Sequence, residues 1–215
     1  MVDQGRAVVA YPVGTSVGAD GFGWNTGTAR FSTKGPDDVA YLREVVDALV
    51  EDHCVDPARV VLTGESNGGA MVVKAACDPR FSGAVRLAAP VIPAIDAGTL
   101  TTCGSARPIP TLAIAGRRDQ VIPYDGRYAG GLVPLLGQEA WFERYTQAFG
   151  CGGPLRSTPI DDAQIQVAPG CAAPMALVAV DDAVHTWPGG PVGTGGLPPG
   201  RFPAMVFIWE RAGLS

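Results

Sequence analysis

Hydrophobic positions along the chain follow two alternating patterns. Near-continuous apolar runs predict buried strands, with a possible short strand before the last of them: 6–12, 59–63, 84–92, 109–115, 163–167 and 175–180. Apolar residues at helical spacing predict helices between and after these runs: from Asp37-Asp38 to His53, and about 67–77, 137–149 and 203–212. Alternation of such strands with helices predicts an α/β fold, in which helices cover both faces of a mostly parallel sheet. We expect a single domain over residues 1–215.

Composition and charge narrow the class of protein. The chain is 47% hydrophobic and 17% charged, which supplies a core and argues against general disorder. The net charge is −5 and no basic run occurs, so we expect no nucleic-acid partner. No apolar stretch is long enough to cross a bilayer, and the N-terminus lacks the pattern of a secretory signal.

The pattern G-x-S-x-G, typical of a serine nucleophile on a strand-to-helix turn, occurs twice. Gly64–Gly68 lies between a predicted strand and a predicted helix, whereas Gly14–Gly18 leads into a Gly-rich stretch that disfavours a helix. The context therefore favours Ser66 as the nucleophile and gives Ser16 a place in a loop. The backbone N–H of Asn67, directly after the serine, would then donate to an oxyanion.

A serine nucleophile needs a base and an acid that orients it. His185 follows the strand 175–180 and so falls at the carboxyl edge of the sheet, where Ser66 also falls, whereas His53 falls at the opposite edge. Asp119 follows the strand 109–115 and is the predicted acid, although it could instead be a turn residue or an ion partner of Arg117 or Arg118. The other candidates for the acid are Asp125, Asp181 and Asp182. The order Ser66, Asp119, His185 is that of an α/β-hydrolase.

Three segments carry a resemblance to a known family: DDVAYLREVVDALVEDHCVDPARVVLTGESNGGAM, AGRRDQVIPYDG and HTWPGG. They resemble the secreted polyhydroxybutyrate depolymerases and feruloyl esterases, which are α/β-hydrolases. The resemblance implies that Ser66, Asp119 and His185 are nucleophile, acid and base, and that no metal or cofactor takes part. It also implies three earlier strands and a signal peptide, which the sequence as given lacks. We therefore expect an α/β-hydrolase-like sheet without its first three strands, a gene product that starts upstream, and an extracellular location.

The five cysteines also suggest an oxidising compartment. Cys151 and Cys171 flank a loop with little core of its own, which favours a disulfide there, although buried free thiols are the alternative. In the light of the resemblance, the helix after Ser66 runs back to the edge near Cys54. We therefore expect a Cys54–Cys77 disulfide and an unpaired Cys103.

The sequence thus predicts a serine carboxylic-ester hydrolase. Its substrates would be polyhydroxyalkanoates, feruloyl or acetyl polysaccharides, or short-chain esters. The candidate substrate-binding residues are Glu65, Trp24 and Trp187, although both tryptophans could equally serve loop packing. An inactive remnant or binding module of the family and a serine peptidase of similar fold remain as alternatives. The oligomeric state is not predicted.

Overall fold

In the computed structural model, the chain is described at residues 7–18, 21–27, 35–126, 134–191 and 198–214. A six-stranded sheet forms its centre. Its strands are β3 (Val61–Glu65), β4 (Leu87–Val91), β5 (Thr111–Gly116), β6 (Arg156–Ile160), β7 (Ala163–Val167) and β8 (Met175–Val180). They lie in the order β3-β4-β5-β8-β7-β6. The pairs β3–β4, β4–β5 and β5–β8 are parallel, and β8–β7 and β7–β6 are antiparallel. The expectation of a mostly parallel sheet is confirmed.

Four α-helices cover this sheet: α1 (Asp38–His53), α2 (Asn67–Ala76), α3 (Gln138–Ala148) and α4 (Ala204–Arg211). Alternate strand residues point to opposite faces, and two hydrophobic clusters result. Ala88 and Ala113 join the cluster that includes residues of α1, α2 and α3. Their neighbours Ala89 and Leu112 join the cluster that includes residues of α4. Helices therefore lie on both faces, as predicted.

Local chemistry sets the start and the end of α1. The Asp37 carboxylate accepts a hydrogen bond from the Ala40 N–H at 3.0 Å, which satisfies one of the N–H groups that a helix leaves free at its first turn. The helix ends at Cys54, which has a left-handed backbone conformation with φ 54°. The predicted boundaries of this helix are confirmed.

The N-terminal segment differs from its prediction. The predicted strand 6–12 does not form over residues 7–12, and residue 6 lies outside the described part of the chain. Val8, Val9 and Tyr11 are 58%, 47% and 87% exposed. A segment of strand-forming residues becomes a stable strand only when it pairs with a neighbouring strand. Within the described residues this segment pairs with none. Two short strands, β1 (Ser16–Gly18) and β2 (Gly21–Gly23), instead form an antiparallel pair within the predicted loop.

The disulfides correct one of the two predicted pairings. Cys151 is bonded to Cys171, as predicted. Cys77 is bonded to Cys103 rather than to Cys54, and Cys54 is an exposed free thiol. The predictions of a Cys54–Cys77 disulfide and of an unpaired Cys103 are therefore wrong. The turns after β4 bring Cys103 to the buried end of α2, whereas Cys54 occupies the solvent-facing end of α1.

None of the helices in the described ranges is both long enough and apolar enough to span a bilayer.

Candidate active site

The site is built on the sharp turn between β3 and α2. Ser66 joins the two elements with φ 56° and ψ −117°, a conformation that costs a non-glycine residue free energy and persists only where its surroundings enforce it. The Ser66 N–H donates to the Val91 carbonyl at 3.0 Å, and the Ser66 carbonyl accepts from the Ala70 N–H at 3.0 Å. These two bonds tie the serine to the adjacent strand and to the first turn of the helix.

The glycines around Ser66 have a steric reason. A Cβ on Gly64 would lie 2.8 Å from the Gly68 carbonyl, and a Cβ on Gly69 would lie 2.8 Å from the Val91 carbonyl oxygen. Real Cβ atoms do not approach backbone atoms this closely, so helix and strand meet only because side chains are absent here. Ser16, in the other G-x-S-x-G match, begins β1, and the next element after it is the strand β2 and not a helix.

His185 bridges Ser66 and Asp119. Its Nε2 lies 3.1 Å from the Ser66 Oγ, and its Nδ1 lies 2.8 Å from the Asp119 Oδ2. The Nδ1–H tautomer follows from this network, because a buried carboxylate accepts hydrogen bonds. The Nε2 lone pair is then left to face the serine hydroxyl.

Asp119 is 5% exposed, and both of its carboxylate oxygens are used. The Oδ1 atom accepts hydrogen bonds from the N–H groups of Val121 and Ile122, at 2.8 Å each. This turn after β5 therefore fixes the carboxylate and leaves Oδ2 for the imidazole. The structure thus brings together the three residues that the sequence predicts as nucleophile, acid and base.

The other residues considered for the base and the acid have different surroundings. His53 ends α1 and is exposed. Asp181 forms an ion pair with Arg117 at 3.1 Å, and Asp182 pairs with Arg201 at 3.3 Å. Asp125 lines a cavity of about 220 Å³ beside Asp119. The alternative of an Arg117–Asp119 ion pair is not supported, because Arg117 pairs with Asp181.

Comparisons with known proteins bear on this arrangement. The prolyl oligopeptidase family matches residues 2–103. Feruloyl esterase B of Piromyces equi is 31% identical over 163 residues, which are 71% of this chain and 29% of that protein. Feruloyl esterase C of Emericella nidulans is 29% identical over 202 residues, which are 89% of this chain and 61% of that protein.

A solved structure, an acetyl xylan esterase from Aspergillus awamori, matches the fold with a TM-score of 0.57 at 11% identity, over 94% of this chain and 73% of that one. These similarities support a feruloyl esterase-like α/β-hydrolase family. The chain spans less than two thirds of the length of both relatives.

Three further residues were predicted to contact substrate. Glu65, directly before Ser66, is half-buried, and burial raises the pKa of its carboxyl, while the charge of nearby His185 opposes this rise. Trp24 is half-buried and lies against the start of α2. Trp187 packs against the hydrophobic cluster that includes α4. Their contact with substrate stays a prediction.

Sequence reasoning missed a polar network beside Asp119. Arg117 stacks over the Tyr124 ring at 4.7 Å. The Tyr124 hydroxyl donates to Glu139 Oε1 at 2.8 Å, and Gln166 Nε2 donates to the same oxygen at 2.7 Å. Burial and the hydrogen bond to Glu139 raise the pKa of Tyr124. The contacts join the turn after β5 to β7 and α3, so no local sequence motif indicates them.

Within the described ranges, no group of three or more His, Cys, Asp and Glu side chains is arranged to hold a metal ion.

Proposed function

We propose that this protein is a serine carboxylic-ester hydrolase that works by acyl transfer through Ser66. The observation that carries the proposal is the continuous hydrogen-bonded series Ser66–His185–Asp119, with distances of 3.1 and 2.8 Å. Such a series supplies the base and the orienting acid that a serine hydroxyl needs to become a nucleophile. The mechanism uses no metal and no cofactor.

In the first half-reaction, the Ser66 Oγ attacks the ester carbonyl carbon while His185 Nε2 takes the hydroxyl proton. The carbonyl oxygen becomes an oxyanion, and the tetrahedral intermediate collapses as His185 returns the proton to the leaving alcohol. In the second half-reaction, water attacks the acyl-enzyme, and His185 again accepts and returns the proton. The acid is released and Ser66 regains its hydrogen.

Asn67 supplies the first oxyanion donor in this mechanism. As the first residue of α2, it has a backbone N–H without an acceptor inside the helix. The partial positive charge of the helix start adds to its effect. In measured cases, loss of one oxyanion donor costs about 100- to 1,000-fold in kcat.

Feruloyl esters are the substrate class that we place first, because both curated relatives above carry the name feruloyl esterase. Acetyl esters of polysaccharides, short-chain esters and polyhydroxyalkanoates form the wider class. Glu65, Trp24 and Trp187 are the proposed substrate contacts. We further propose an extracellular location, supported by the two disulfides.

A peptidase or amidase is the second candidate, and the match of the prolyl oligopeptidase family over residues 2–103 favours it. An amide requires protonation of a poorer leaving group, so it demands a better-placed acid than an ester does. Comparing an ester with the amide of the same acid therefore separates the two candidates.

The test is hydrolysis of 4-nitrophenyl acetate, 4-nitrophenyl butyrate, methyl ferulate and a hydroxybutyrate oligomer, together with feruloyl amide. We expect ester turnover and little amide turnover. Ser66→Ala should lower kcat by about 10⁴-fold or more, whereas Ser157→Ala, on the exposed strand β6, should change nothing. Faster turnover of the amide would favour the peptidase. A folded wild-type chain without turnover would favour the inactive remnant or binding module.

A further inference from the structure

A short segment beside the nucleophile helix is held by side chains rather than by a sheet. We call residues 24–26 the Trp24 segment. The Trp24 N–H donates to Asn67 Oδ1 at 2.7 Å, and Asn67 Nδ2 donates to the Trp24 carbonyl at 3.2 Å. The amide of Asn67 thus binds both backbone polar groups of one residue, as a neighbouring strand would.

The next residue of the Trp24 segment is bound by side chains of both α2 and α1. Lys74 Nζ donates to the Asn25 carbonyl at 2.5 Å, and the Asn25 N–H donates to Asp38 Oδ2 at 2.6 Å. Asn67 and Lys74 are seven residues apart, about two helical turns, and so lie on one face of α2. Side chains from the first residue and from the last turn of α2 therefore both bind this segment.

Burial of the Lys74 ammonium group costs free energy, and this cost indicates that holding the Trp24 segment is useful to the protein. It is half-buried, and burial lowers the pKa of its ammonium group, while the carboxylates of Asp37 and Asp38 act in the opposite direction. A buried ammonium group is tolerated where hydrogen bonds and charges compensate for lost water. The compensating acceptor here is the backbone of the Trp24 segment.

The indole of Trp24 is positioned by this anchoring. It stacks on Tyr41 with ring centroids 6.4 Å apart and an interplanar angle of 24°. A Cβ built on Gly68, two residues after Ser66, would lie 3.9 Å from the indole Nε1. The Nε1 edge of the ring therefore faces the first turn of α2 next to Ser66, and the missing side chain of Gly68 leaves space between them.

We propose that Asn67 is a positioning residue, which through the Trp24 segment fixes the Trp24 indole as an aromatic wall of the acyl-binding site. Planar aromatic acyl groups gain from a fixed ring face, whereas an acetyl group is too small to use it. Asn67 then has two duties: its backbone N–H faces the oxyanion, and its side chain sets acyl preference. This inference rests on the proposed esterase function.

The measurement is the ratio of kcat/KM for 4-nitrophenyl ferulate to that for 4-nitrophenyl acetate. The shared leaving group makes the ratio report the acyl group alone. Trp24→Ala and Asn67→Ala should each lower this ratio, by about tenfold, which is the effect of one to two hydrogen bonds or one ring contact. The double variant should lower it no further than Trp24→Ala does, because both changes remove the same wall.

A matched control is Gln147→Ala, which removes an amide from the exposed face of α3 and should leave the ratio unchanged. If Asn67→Ala does not fold, Lys74→Met releases the other end of the segment and should lower the ratio in its place. An unchanged ratio in a folded Asn67 variant, or effects that multiply in the double variant, would overturn the inference. Loss of the proposed function itself would show separately, as hydrolysis that survives Ser66→Ala.

Discussion

At the scale of single residues, the two carboxylate oxygens of Asp119 have different hydrogen-bond partners. Oδ1 is held by the backbone N–H groups of Val121 and Ile122, and Oδ2 faces the imidazole of His185. In the proposed mechanism, a carboxylate fixed in this way holds the Nδ1–H tautomer and stabilises the imidazolium that forms.

Asp119→Asn should therefore lower kcat by about 10⁴-fold, the loss seen when the acid of a comparable triad becomes an amide. The cause is the wrong imidazole tautomer rather than a change of shape. The measurement is steady-state hydrolysis of 4-nitrophenyl acetate, with Asp125→Asn as the neighbouring control, which should stay close to wild type. Equal losses in both variants would contradict the assignment of Asp119 as the acid.

Glu65 leads to a prediction about stability and pH. Its pKa is raised above the ordinary value of 4.5, chiefly by burial, so the folded state holds the proton more tightly than the unfolded state. The free energy of unfolding should then fall as the pH rises from the ordinary pKa of the carboxyl through its raised pKa in the folded state. Glu65→Gln should raise the free energy of unfolding at pH 8, and the gain should vanish at pH 3.5, where both states are protonated. Urea denaturation at the two pH values measures this, and an equal gain at both would refute the burial argument.

At the scale of elements, the Cys77–Cys103 disulfide ties the end of α2 to the turns after β4. The bond closes a loop of 26 residues, which the chain-entropy model values at about 3.5 kcal/mol. Cys103→Ala should lower the free energy of unfolding by roughly 2–4 kcal/mol in chemical denaturation. Cys54→Ala, which removes the exposed free thiol, should change it by less than about 0.5 kcal/mol. Equal effects of the two variants would count against a structural role of the disulfide.

The elements also show where sequence patterns succeed and where they fail. α1 was predictable because Asp37 caps an apolar stripe at helical spacing. β6 was missed because it is an exposed edge strand that contains Pro159, a composition that resembles a loop. The segment 7–12 contains strand-forming residues, but within the described residues no neighbouring strand is hydrogen-bonded to it. The composition of a segment does not reveal whether such a neighbour exists.

At the scale of the whole molecule, the sheet topology brings distant residues to one edge. Ser66, Asp119 and His185 follow β3, β5 and β8, which run parallel, so all three come after the carboxyl ends of their strands. Ligands of open α/β sheets bind at this edge. Because each of the three residues follows a predicted parallel strand, the sequence was sufficient to predict that they lie close together. The contacts of Asn67 with Trp24 and of Cys77 with Cys103 depend on the path of loops, and no local spacing encodes such a path.

The most direct test of the account is covalent capture of Ser66. The protein is incubated with a 4-nitrophenyl phosphonate ester, which transfers its phosphonyl group to an activated serine and releases nitrophenol. Peptide mass spectrometry then locates the adduct. We predict one phosphonyl group per chain, on Ser66, lost in Ser66→Ala and slowed by Asp119→Asn. No adduct, or an adduct on another serine with Ser66 unmodified, would contradict the account.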